Sequence, residues 1–409
     1  MDQELIKYFL MGVVTLTFIF EKTVSFLNVS RKTGRVPETL EQYLEEGKLQ
    51  QSKRYQRANY NFGLLSGSFT FVITLLFIGF GFFGWLDEWL RQFGPSPLAL
   101  SVIYFGVLFI GSDLLSLPFD YYHTFKIEAD YGFNTSTVRT FFGDKVKGYL
   151  LSILVGGGLL LVLLWLILEI GPDFWWIFWI ISALFIVLVN QFYSGLILPL
   201  FNKLTPLEKG DLKRTIFAYA QSVGFSLENV FVMDGSKRST KANAFFSGFG
   251  KRKKVVLFDT LLEQHPPDEL VAVLAHEIGH YKKGHITFGV ITGILQTGII
   301  LYILSLFVFN EQISFALNGN QLSIHLNIIG FTMLFSPISL VLGMVTNYFS
   351  RKHEFEADAF AKTTYAGKPL AEALKTLSVN NLADINPHPL FVMVNYSHPP
   401  LLSRLKRLE

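Results

Sequence analysis

Along most of this chain, apolar residues do not alternate with polar ones; they run together. Seven stretches stay apolar for about twenty residues or more, the length that crosses a hydrocarbon layer as one helix. They are Leu5–Leu27, Phe62–Trp85, Leu98–Phe119, Tyr149–Ile170, Phe174–Leu200, Ile286–Phe309 and His325–Phe349. Glu21 and Lys22 make the first boundary soft, and only "GPD" separates the fourth and fifth, which predicts a tight helical hairpin. The start, "MDQELIKYF", is acidic and no small-residue cleavage site follows it, so the first stretch reads as a retained helix and not a signal peptide.

Elsewhere the pattern changes period. "LEKGDLKRTIFAYAQSVGF" spaces its apolar residues for a helix ending at Gly224, whereas "VFVMDGS" and "KKVVLFDTLL" read as short strands. "KRSTKANAFFSGFGKRK" reads as a strand and turn punctuated by Gly248 and Gly250. "PPDELVAVLAHEIGHYKKG" has prolines and acids at its start and lysines and Gly284 at its end, which predicts a helix. No internal repeat or low-complexity tract interrupts the chain.

Charge orients these spans. With the N-terminus outside, segments 28–61, 120–148, 201–285 and 350–409 hold 32 Lys and Arg, against two, Lys7 and Arg91, on the outer side. That asymmetry places the polar segments in the cytoplasm. Buried helices of a soluble protein would not produce the alternation. Composition agrees: charged residues are 16% of the chain, against about 25% in soluble domains, and mean hydropathy is +0.38. A net charge of +3 gives no ground for a nucleic-acid partner, and the absence of cysteine excludes disulfides, thiolate metal sites and a cysteine nucleophile. The expected class is an α-helical multi-pass membrane protein. Residues 1–200 carry helices one to five, 201–285 a large cytoplasmic loop, 286–349 helices six and seven, and 350–409 a cytoplasmic tail.

In the large loop, "HEIGH" sets His276 and His280 four residues apart, one turn along one helix face. Two neutral imidazoles so spaced can share one tetrahedral Zn²⁺. Glu277, displaced by one residue, is placed to take a proton from the attacking water. A chance match on a polar helix face is the bland alternative, and the predicted helical context argues against it. His285 falls at a spacing that does not match and reads as an interfacial histidine rather than a ligand. A catalytic zinc wants a third protein ligand. "NYFSRKHEFEADAFA" offers His353, Glu354, Glu356 and Asp358. Glu354 and Asp358 share a face, with Glu356 roughly opposite Glu354. That pairing favours Glu354 as ligand and Asp358 as the acceptor orienting a ligand histidine. Read without HEIGH, the same run would be a solvated helix start.

"GSKRSTKANAFFSGF", "KKVVLFDTLL", "LAHEIGHYKKGH", "SRKHEFEADAFA" and "YSHPPLLSRL", together with "YGFNTST" and "LPLFNKLTPLEKGDLK", resemble the integral-membrane CaaX prenyl protease 1 family of zinc metallopeptidases. The likeness runs nearly the whole chain, in order. It implies a seven-helix barrel around a large chamber, closed at its inner end by a zincin-like α+β metalloprotease domain. It implies removal of the last three residues of farnesylated or geranylgeranylated CaaX proteins and, in some members, a second upstream cut. Residue by residue, it implies His276, His280 and Glu354 as zinc ligands, Glu277 as catalytic glutamate and Asp358 as a ligand's support. It further implies Asn243 as a substrate contact, with His398 and Arg404 at the active site: His398 as a catalytic donor to a developing oxyanion, Arg404 as a substrate-binding group that grips a carboxylate, or as the holder of a neighbour. Read as residues alone, His398 and Arg404 are equally a helix cap and a surface charge in a basic tail.

The expected substrate is a peptide or protein with a prenylated CaaX terminus, held along the "NAFF" edge strand, its isoprenyl tail in the chamber or in the bilayer. This chain ends "RLKRLE" and not in a CaaX motif, so the expectation is a processor and not a substrate. The acidic insertion of longer relatives between "DTLLEQH" and "DELVAVL" is missing, and with the short tail this favours a prokaryotic cytoplasmic membrane over an endoplasmic reticulum membrane. The rival readings are a quality-control metallopeptidase without prenyl specificity, an intramembrane protease, and a transporter or scaffold with no need of zinc. The charges at both ends of the HEIGH helix disfavour the second. Oligomeric state is left open.

Overall fold

The computed structural model describes residues 3–31, 40, 47–227, 229–247 and 254–408. Among these, six helical stretches are long and apolar enough to cross a membrane: Gln3–Val29, Lys48–Gly79, Pro97–Glu128, Val138–Phe201, His285–Phe307 and Ile324–Thr364. The protein is therefore a helical multi-pass membrane protein. Val138–Phe201, at 64 residues, contains both the fourth and the fifth predicted segments. It turns at the 3₁₀ segment Gly171–Asp173, where Gly171 takes φ 70°, a left-handed conformation open to glycine. The flanking helices, Gly158–Ile170 and Phe174–Phe192, pack against each other.

Two boundaries differ from the sequence pattern, and the soft first one runs through Lys22 as expected, each for a local reason. The first helix keeps Lys22 inside it because the ammonium donates to the Gly63 carbonyl at 2.8 Å on the next helix. The second segment stops at Gly79 and restarts as a short helix, Phe82–Arg91, after Gly81 at φ 70°. The short helix lies hard against the backbone of Asn318, which a Cβ on Gly84 would meet at 2.0 Å. The last apolar segment does not end at the membrane edge. It continues as one 41-residue helix, Ile324–Thr364, that carries the charged "SRKHEFEAD" run with it.

Beside these helices stands a four-stranded sheet of order β1-β2-β4-β3, with β1 Leu204–Pro206, β2 Asn229–Met233, β3 Ala244–Ser247 and β4 Lys254–Phe258. β2 and β4 are parallel, with Phe231 opposite Val256, and β3 is antiparallel to β4, with Phe246 opposite Val255. β4 is apolar on both faces, and Val255, Val256 and Leu257 are all fully buried, as a central strand should be. β3 forms one edge; Gly248 and Gly250, expected in the turn after it, lie outside the described residues. The short β1, on the other edge, had no signal in the sequence pattern. The predicted helix before Gly224 is Asp211–Ser222, and Gly224 itself takes φ 61°.

The HEIGH segment is the helix Pro267–Lys282, begun by prolines and two first-turn acids and ended before Gly284 at φ 74°. Every residue from Leu270 to Ala275 is buried. Leu270 and Leu274 pack with Ile216, Val255, Leu257 and Leu405 into one core. Each such leucine contributes about 1.5–3 kcal/mol by leaving water. The motif helix is thus fixed by the sheet on one flank and by the 41-residue helix on another.

Candidate active site

Gly279 allows the close approach that builds the site. A Cβ there would meet the Ala357 Cα at 3.1 Å and the Phe360 Cβ at 3.2 Å. A glycine in a helix interior costs about 1 kcal/mol against alanine, and here it lets the motif helix lie directly on Ile324–Thr364. The charged run of the long helix is thereby set against the two histidines of the motif.

The imidazoles of His276 and His280 turn their Nε2 atoms toward each other, 3.1 Å apart. The Glu354 carboxylate faces both, with Oε2 at 3.4 Å from His276 Nε2 and Oε1 at 3.3 Å from His280 Nε2. One ligand atom from each of the three residues falls within 4.8 Å of the others. Of the four candidates after the last span, Glu354 joins this group; His353 and Glu356 turn away to His285. Glu354 Oε2 is buried and receives no well-directed hydrogen bond, although Arg404 Nη1 stands 3.3 Å away. A buried carboxylate oxygen left unpaired beside two imidazole nitrogens is costly as it stands, and a cation held by the three groups would satisfy it. Two nitrogens and one carboxylate oxygen suit a divalent metal with a position left for reaction.

Around this group the remaining predicted residues take distinct places. Asp358 accepts from the outward Nδ1 of His276 at 2.9 Å. Arg404 grips Asp358 with two nitrogens, at 2.9 and 2.6 Å, and is itself only 8% exposed. A planar guanidinium is matched to a carboxylate in this way. Arg404 comes from the last helix, Leu401–Leu408, seated by buried Leu401, Leu405 and Leu408. Its place is within the charge network and not on the surface. His398 lies on the approach to that helix. Its side chain is 68% exposed, yet its Nδ1 is 2.9 Å from Glu354 Oε1, so it stands at the rim touching the buried carboxylate.

Glu277 shares the motif helix with His276 and His280, and burial pushes its carboxyl above the usual range. A base held reluctant to stay charged is suited to taking a proton at neutral pH. Burial works against a charged His276, but its hydrogen bonds to the Asp358 and Glu354 carboxylates outweigh it and push the imidazole up to about 9. Asn243 opens the edge strand. Its side chain accepts from Ala244 N–H at 2.8 Å and its carbonyl accepts from Phe258 N–H at 3.1 Å, leaving the residue exposed beside the sheet edge. β3 rests on the motif helix through Phe246 against Tyr281.

Sequence reasoning passed over three residues here. Gly279 carried a readable signal, a glycine inside an otherwise strong helix. His285 and Glu356 were set aside on spacing, yet His285 Nδ1 is 3.0 Å from His280 Nδ1 and its Nε2 is 2.9 Å from Glu356 Oε2. Spacing within one helix says nothing about contacts made from a neighbouring one.

Two histidines of a glutamate-bearing motif helix, met by a buried glutamate from a second helix, in a chain of long apolar helices, define a membrane metallopeptidase. Comparison with known proteins makes the class specific. Residues 25–203 match the family model described as CAAX prenyl protease N-terminal, five membrane helices, and residues 206–409 match that of Peptidase family M48. CAAX prenyl protease 1 of Saccharomyces cerevisiae is 32% identical, covering 98% of this chain and 95% of that protein. The Homo sapiens homolog is 32% identical over 93% of this chain and 90% of its own length. The crystal structure of S. mikatae Ste24p superposes with a TM-score of 0.93 at 31% identity, covering 100% of this chain and 99% of that one. The chain belongs to the CAAX prenyl protease 1 family of M48 metallopeptidases. It is a membrane metalloprotease acting on a protein or peptide substrate with a metal cofactor.

Proposed function

We propose that this protein is a zinc endopeptidase that removes the C-terminal tripeptide from prenylated CaaX proteins. The convergence of His276, His280 and Glu354, brought from two helices onto one buried point, carries the reading. These three would hold the metal, and Asp358 with Arg404 would hold His276 in its ligating orientation. Bound zinc supplies Lewis acidity, polarising the scissile carbonyl and making water more acidic. Glu277 takes the proton of the attacking water and passes it to the departing amine. His398, exposed at the rim, donates to the oxygen on which charge develops. Asn243 and the β3 edge hold the peptide extended by main-chain hydrogen bonds.

Seven passes are proposed, the fourth and fifth formed by the two arms of Val138–Phe201. They would enclose a chamber of which a cavity of about 770 Å³ is one part; it is lined by Thr17, Lys22, Thr332, Ser336, Ser339 and Asn395. Asn395 lies three residues before His398 in the chain, which favours a path from cavity to site. Segments 201–285 and 350–409 form the peptidase unit, and the bias of Lys and Arg supports its facing the cytoplasm, in a prokaryotic plasma membrane or, in a eukaryote, the endoplasmic reticulum. The prenyl requirement is tested by comparing purified enzyme on one CaaX peptide with and without its farnesyl group. Strong preference for the farnesylated peptide is expected. Equal cleavage would favour instead a quality-control peptidase of the same design.

A further inference from the structure

The two histidines of the motif are supported in unlike ways. His276 is backed by Asp358, a fully buried carboxylate clamped by Arg404. Among the described residues no carboxylate backs His280; its outward Nδ1 faces an imidazole, His285, at 3.0 Å. His285 is 8% exposed and starts the helix His285–Phe307, immediately after the chain turns at Gly284. Its other nitrogen meets Glu356 Oε2 at 2.9 Å, and its ring stacks on His353 with centroids 4.1 Å apart and planes at 11°. Phe288 stands edge-on to His353 at 4.9 Å, closing the stack.

The proton inventory allows one arrangement in which all three groups are neutral or paired. A ligating His280 uses Nε2 for the metal, so its Nδ1 carries hydrogen and needs an acceptor. His285 can accept there only with an unprotonated Nδ1, which puts its own hydrogen on Nε2, aimed at the Glu356 carboxylate. The ring stack and the helix start hold His285 in the plane this relay requires.

We propose that His285, oriented by Glu356, is a positioning residue for metal binding: it fixes the tautomer and orientation of His280 through an imidazole relay. This rests on His280 being a ligand. The plain alternative is that His285 and Glu356 only staple the helix His285–Phe307 to Ile324–Thr364, which would affect stability and leave the metal alone.

The test measures Zn²⁺ affinity of the full-length purified protein by chelator competition, together with the visible spectrum of the Co²⁺-loaded form and thermal stability without metal. His285→Ala is expected to weaken metal binding about 10–100-fold, the effect usual for a ligand's support, and to shift the Co²⁺ bands. His285→Gln, which restores an acceptor oxygen, is expected to recover part of the affinity. Glu356→Gln, at a partly exposed site that tolerates substitution, is expected to give a smaller loss in the same direction, and carries the test should His285→Ala not fold. Unchanged affinity and spectrum in these variants, with or without lower thermal stability, would overturn the proposal. His280→Ala is the control for the underlying reading: if it too keeps the metal, it is the ligand assignment that fails.

Discussion

Among the described residues stand two histidine–aspartate–arginine groups, whose members His325 and Asp358 are 33 residues apart along one helix, or about 50 Å at 1.5 Å per residue. Near one end His325 Nε2 meets Asp87 Oδ1 at 2.8 Å, Arg91 Nε meets Asp87 Oδ2 at 3.0 Å, and Ser101 Oγ lies 3.0 Å from His325 Nδ1. Ser323 donates to Asp87 at 3.0 Å and accepts from Arg91 at 2.8 Å. Near the other end stand His276, Asp358 and Arg404. Residue types are alike and the histidine and aspartate of each group are buried, although the side chain of Arg91 is 31% exposed and that of Arg404 only 10%; Ser101–His325–Asp87 even has the order of a nucleophile, base and acid. The difference lies in the remaining bonding capacity. At His325 both ring nitrogens and both Asp87 oxygens have partners, and His325 and Asp87 are each 1% exposed, so no substrate reaches the serine. At His276 one ring nitrogen is spent on Asp358 while the other points at His280 and at an unsatisfied oxygen of Glu354. A network with every polar atom paired holds helices together; one with converging open atoms binds something.

That contrast can be broken experimentally. The largest effect is expected from Glu277→Gln, which should lower kcat for peptide cleavage by about 10³-fold, within the range for a general acid–base group, while metal content stays at one ion per chain. Loss of metal along with activity would move Glu277 from chemistry to binding. Next, Asp87→Ala should leave metal content and Zn²⁺ affinity unchanged but cost about 1–3 kcal/mol of stability, because it leaves the buried Nε2 of His325 without its acceptor. Thermal unfolding of the detergent-solubilised protein, paired with metal analysis, reads both. Asp358→Asn should do the reverse, weakening metal affinity about 10–100-fold. If the two aspartate variants behave alike, the distinction between closed and open networks fails.

The smallest effect is a proton count. With His276 pushed up to about 9, the metal-free protein carries that proton at pH 7 and must surrender it to bind metal. Zn²⁺ affinity should therefore rise with pH up to about 9 and level off above it. Calorimetry in buffers of different ionisation enthalpy should find about one proton released near pH 7. Asp358→Asn, by replacing the charged acceptor that raises the imidazole with a neutral amide, should reduce that number.

Much of this was legible in the residues because membrane helices and HExxH are both local patterns. Length and apolarity alone located every long helix, since hydrocarbon forbids unpaired backbone and leaves few alternatives. A helix presents residues four apart on one face, so His276 and His280 needed no tertiary knowledge. Glu354 over Glu356 followed from the same geometry, once HEIGH had said a metal was wanted. Pairing across the fold was not legible. The close contact at Gly279 and the two-pronged grip of Arg404 on Asp358 join segments separated by a membrane crossing or a whole helix, and the position of His285 behind His280 depends on how the chain turns at Gly284. The break at Gly81 and the closed Asp87–His325 network likewise depend on which helix lies alongside. The sequence alone determined the parts of this peptidase: its spans, its motif and the donor types. Tertiary structure decided which polar atoms were satisfied and which were left facing one another, because that depends on distances between helices that no single helix encodes.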